Sequence, residues 1–142
     1  MTWKSHQIVT FTTVFVLSQD VFASIFASFG SAVPDKLEGP FWQSWHRTYT
    51  HWFVLYLPFL VFLLRHGGPN GSTITKFLFW IVIGALLHIL EDAICGTIPV
   101  WHPTKKKKVF PRLFYVGSLG ETLFVTVYVM ILLVIFISMY KG

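Results

Sequence analysis

A single cysteine, Cys95, occurs in 142 residues, so no internal disulfide can staple the chain, and the redox compartment is left open. Charge is scarce as well. Only 12% of residues are Asp, Glu, Lys or Arg, where a soluble domain carries about 25%. A cleavable signal is not expected either: Lys4 alone precedes the first apolar run, which ends in GSAVPDKLEG without an A-x-A site. Repeats and low-complexity segments are absent apart from four consecutive lysines. The length leaves room for one domain over residues 1–142.

What fills the chain is apolar. It is 54% hydrophobic, with fifteen phenylalanines. A water-soluble fold this small has too little interior to hide that surface, so lipid is expected to cover part of it. Four apolar stretches cover residues 8–33, 52–64, 74–94 and 122–140. The last two match the roughly 20 residues a helix needs to cross a bilayer. The second is short and holds Pro58, so a kink or support from its neighbours is expected. The fold class is all-α, a small polytopic membrane bundle of about four to five apolar helices.

The first stretch admits two readings. As one helix it puts His6 and Asp35 on opposite sides of the membrane. As a hairpin of two short helices, with Asp20 capping the second, it returns His6 to the side of Asp35. The cost of an aspartate in mid-membrane favours the hairpin. In either case two helices separate the segments 31–51 and 95–117, which therefore share a side. That side carries Lys36, Arg47, Lys105, Lys106, Lys107, Lys108 and Arg112, against Arg65, Lys76 and Lys141 opposite. The positive-inside rule makes it the cytoplasmic side. Lys105, Lys106, Lys107 and Lys108 are expected to face membrane lipid with anionic headgroups. Nucleic acid is not expected, since no fold-level signal accompanies the lysines.

Three polar clusters converge on that side: Asp35 and Glu38 in PDKLEG, His46, Arg47 and His51 in HRTYTH, and His88, Glu91 and Asp92 in HILED. His88 and Asp92 stand four apart, on one face of a helix, a common way to present two ligands to one metal. Imidazoles with carboxylates suit Zn²⁺, Mn²⁺ or Fe²⁺ better than a thiolate-bound structural zinc. Two acids at a helix C-terminus are badly placed unless a cation compensates them. The bland alternatives are a helix end meeting water, an Arg47–Glu38 pair, and interfacial anchoring for His66 and His102. Ionisable groups near lipid are costly, which favours a metal site at the cytoplasmic interface.

GSAVPDKLE, HRTYTHW and HILEDAICGTIPVWHP, in that order, resemble the YdjM-type, LexA-regulated family of membrane-bound metal-dependent hydrolases over residues 6–112. Two departures stand out: Leu37 where the family often has a second Asp, with Glu38 as its candidate substitute, and His102 inserted before the last proline. The resemblance gives His6 the position of an early histidine heading the first helix. More remotely, the ligand order is similar to that of zinc-dependent phospholipases C and nucleases. Together the residues and the resemblance imply His6, Asp35, His46, His51, His88 and Asp92 as ligands to one or two ions, with zinc favoured. Glu38 is expected as a further ligand or general base, and Arg47 as a phosphate clamp. The expected activity is hydrolysis of a phosphoester in a lipid or lipid-linked substrate. The rivals are a membrane adaptor with a structural metal and, third, a metal transporter.

Overall fold

The computed structural model describes residues 1–39 and 47–140. Helices α1 (Trp3–Ser18) and α2 (Val21–Gly30) form the expected hairpin. Gln19 takes a left-handed conformation that stops α1, and the Asp20 carboxylate then caps α2 by accepting from Ala23 N–H at 3.1 Å. The same carboxylate pairs with Lys76 Nζ at 3.0 Å, and these contacts hold its pKa below the ordinary range. The turn thus gives Asp20 a backbone N–H, and Lys76 adds an ion pair that the sequence had not suggested.

A short helix α3 (Val33–Glu38) begins with Pro34 in its first turn, where a missing N–H costs nothing. Two 3₁₀ turns, Tyr49–His51 and Phe53–Leu55, lead into α4 (Leu57–Arg65). Pro58 also sits in a first turn, so it starts α4 rather than kinking it. After a 3₁₀ turn at Gly68–Asn70 come α5 (Thr73–Cys95), strands β1 (Ile98–His102) and β2 (Lys105–Lys107), and α6 (Leu119–Tyr140). The fold is mostly helical, as expected, and the two short strands add to it a ribbon that was not expected. They pair antiparallel, with Ile98 opposite Lys107 and Pro99 opposite Lys106. Ile98 and Val100 favour strand geometry by packing against Tyr56, Ile89 and Ala93, which the basic run beside them had masked in the sequence.

Helix α5 is the axis. Its Gly84 lies so close to α2 that a Cβ there would overlap the Ala27 carbonyl oxygen. Small residues at helix crossings allow such approach in apolar surroundings, where packing rather than water expulsion holds helices together. Val14, Ala23 and Ala27 fill this crossing with Trp80, Ile83 and Leu87. Among the described residues, α5 and α6 are long and apolar enough to cross a membrane. The helices α1, α2 and α4, at 16, 10 and 9 residues, rise about 24, 15 and 13 Å, short of the roughly 30 Å hydrocarbon core.

Helix α6 leans on α1 and buries little beyond Glu121 and Val125. Glu121 accepts from Thr2 N–H at 2.7 Å, Thr2 Oγ1 at 2.9 Å and Gly117 N–H at 2.7 Å. Thr13 and Tyr128 hydroxyls bond at 2.9 Å further along.

Candidate metal centre

The start of α1, the helix α3, the turn at 49–51 and the last two turns of α5 meet at one end of the fold. There His6, His51, His88 and Asp92 are each at most 1% exposed. His51 Nε2 and His88 Nε2 face one another at 3.1 Å. Asp35 Oδ1 lies 3.4 Å from the first and 3.6 Å from the second. Asp92 Oδ2 lies 3.5 and 3.8 Å from the same two nitrogens. Zinc bonds of about 2.0–2.1 Å in tetrahedral geometry set donors roughly 3.3 Å apart, close to this spacing.

A second group shares two of these residues. His6 Nε2 lies 3.2 Å from Asp92 Oδ1, and His6, His88 and Asp92 can each turn a donor atom toward one ion. Asp92 therefore offers one oxygen to each group, and His88 belongs to both. The His6 and His88 rings lie with centroids 3.8 Å apart. His6 Nε2 and His88 Nδ1 are buried without a hydrogen-bond partner, which is costly for a polar group out of water. Convergent nitrogens and carboxylate oxygens, some of them orphaned, fit a divalent cation. The buried His/Asp cluster can hold one.

Behind two of the imidazoles stands a glutamate. His6 Nδ1 meets Glu91 Oε2 at 2.5 Å, and Thr10 Oγ1 donates to Glu91 Oε1 at 2.9 Å. His51 Nδ1 lies 2.9 Å from Glu38 Oε1, which also accepts from Arg47 N–H at 2.7 Å and Thr50 Oγ1 at 2.8 Å. A carboxylate on one ring nitrogen fixes the tautomer and leaves the other nitrogen's lone pair for a ligand role. Burial pushes the Asp35 carboxyl up, but hydrogen bonds to His51 and His88 outweigh it and hold it well below the usual carboxylate range. Burial and the Glu38 charge push the Tyr56 hydroxyl up to about 12, so it stays a donor to the Thr50 carbonyl at 2.8 Å.

Five of the expected ligands, His6, Asp35, His51, His88 and Asp92, come together as read from the sequence. His46 lies outside the described residues. The Arg47 guanidinium does not pair with Glu38; Nη2 donates to Asp92 Oδ1 at 2.8 Å, while only its backbone reaches Glu38. The acid pair at the end of α5 is thus compensated by His6, Thr10 and Arg47. His66, on the Phe62 carbonyl at 2.8 Å, and His102, beside Thr104, are exposed and remote from the cluster. Sequence reading gave Glu91 no partner, although His6 and Thr10, four apart on α1, are the pair that holds it. Cys95 Sγ and Met1 N also went unread; they lie 3.1 Å apart, with Met1 N 2.8 Å from Asp92 Oδ1.

Compared with known proteins, the chain matches no family model, no curated protein and no solved structure.

Proposed function

We propose that the protein is a membrane-bound metal-dependent hydrolase, similar in kind to the YdjM-type family, acting on a phosphoester of a lipid or lipid-linked substrate. The observation that carries this reading is the convergence of His51, His88, Asp35 and Asp92 at one end of the long apolar helices. An ion held there supplies Lewis acidity toward water and a phosphoryl oxygen. The chain's own residues do the rest. Glu38 and Glu91 orient His51 and His6 from behind, and Asp35, about a third exposed, leaves the cluster one edge open to solvent. Arg47 brings a guanidinium to the same carboxylate that His6 and His88 surround, suited to the charge spread over phosphoryl oxygens. The exposed lysines of β2 and Lys108 lie in the chain segment just after the cluster and would gather anionic lipid nearby.

The test is a screen of zinc-, manganese- and iron-loaded protein, purified in detergent, against soluble phosphoesters and phospholipids. Turnover that follows metal loading is expected, and stable metal without turnover on any phosphoester would remove the hydrolase. That outcome would favour a structural metal in an adaptor, a reading supported by the two groups of three donors that already converge.

The same reading puts the cluster on the cytoplasmic face of a bacterial inner membrane, from the excess of Lys and Arg on that side. Single cysteines replacing Thr48 and Lys106, in a Cys95→Ser background, should both resist a membrane-impermeant thiol reagent until the cell interior is opened. Labelling of one of them in intact cells would break the common-side assignment.

A further inference from the structure

Arg47 is seated as well as paired. Its side chain is 16% exposed, Nη2 is on Asp92 Oδ1, and Nε is buried without a hydrogen-bond partner. Its backbone is left-handed, φ +55°, a conformation that costs a non-glycine residue and collects at functional sites. Opposite it, Gly96 caps the C-terminus of α5, its N–H still bonded to the Asp92 carbonyl at 2.9 Å. A Cβ on Gly96 would overlap Arg47 Nη1 and lie 3.3 Å from its Cζ. Gly96 itself has φ −155°, extended backbone open to any residue. No dihedral demands a glycine here. The demand comes from Arg47.

We infer that Gly96 is a positioning residue: its bare Cα is the floor against which the Arg47 guanidinium lies, and that floor holds Arg47 on Asp92. Any side chain at 96 lifts the guanidinium off the carboxylate. The guanidinium is then lost as a preformed donor set for an oxyanion. The oxyanion part rests on the phosphoester reading above, whereas the seat does not.

A double-mutant cycle tests both. Gly96→Ala, Arg47→Ala and the double variant are compared with the parent, zinc-loaded in detergent, for zinc content, thermal midpoint and binding of inorganic phosphate by calorimetry. Gly96→Ala should keep its zinc, lower the thermal midpoint and weaken phosphate about tenfold, as expected for losing one charge-assisted contact. On the Arg47→Ala background the same substitution should change neither midpoint nor affinity, because the group it strikes is gone. Effects that add in the double variant, or a Gly96→Ala protein indistinguishable from the parent, would overturn the seat. A parent that ignores phosphate but shows the non-additive midpoint would leave the seat standing and remove the anion role with the phosphoester reading.

Discussion

Purified His88→Ala protein is expected to retain less than about a tenth of the parent's bound metal, because second-sphere losses alone cost 10–100-fold in affinity and this variant removes a donor outright. His88 is shared by both donor groups, and its Nε2 stands 3.1 Å from that of His51. Truncation there would leave Asp35 facing His51 alone and would take one of three donors from each group. Asp92→Ala should be as empty and less stable. It strands the Arg47 guanidinium beside His6 without its acceptor, and breaking one half of a buried pair typically costs about 3–5 kcal/mol. Asp92→Asn, which keeps the shape, separates loss of ligand charge from loss of fold. His66→Ala serves as the control, because the exposed His66 ring bonds to the Phe62 carbonyl at the end of α4 and belongs to neither donor group. Elemental analysis of the set, against a parent holding about one or two ions, decides the matter. Full metal in His88→Ala would dissolve the centre as described.

Glu38→Gln should weaken the metal about 10–100-fold, with turnover recovering when metal is supplied in excess. The carboxylate sits 2.9 Å behind His51 Nδ1 and also gathers the Thr50 hydroxyl and the Arg47 backbone N–H. A glutamine keeps the shape but loses the charge that favours a proton on Nδ1, and with it the guarantee that Nε2 presents a lone pair. As a general base, the role open to it in the sequence, Glu38 would behave differently. Its loss would then cost about 10²–10⁴-fold in turnover that no added metal restores. A metal titration of turnover in the variant distinguishes the two. Loss of rate at saturating metal would return Glu38 to the reacting atoms.

Much of this was written in the sequence because lipid makes polar residues costly, so those that remain carry information. Four of the five donors that converge could be listed from PDKLEG, HRTYTH and HILED, His6 only from the resemblance, and the hairpin followed from where an aspartate can tolerably sit. The hidden part is relational. Nothing in the order of residues says that Glu91 turns toward α1 while Asp92, one position on, turns toward the metal ligands; the 100° step of a helix does that only once α1 is packed alongside. Arg47 was read as a substrate clamp, and its engagement with Asp92 depends on a bare Cα 49 positions away in the chain. The strands at 98–107 were obscured by lysines that signal solvent, although the alternate residues Ile98 and Val100 face the core.

The five described donors come from α1, α3, the turn at 49–51 and α5, so an ion bound among them is also a cross-link between the first helix and the fifth. Ligand binding to the folded state alone adds about 2.7 kcal/mol at a free concentration 100 times Kd. For short helices that cannot span a bilayer unaided, that increment is comparable to the packing of a buried side chain or two. An ion bound there would then govern how long the hairpin of α1 and α2 stays docked against α5.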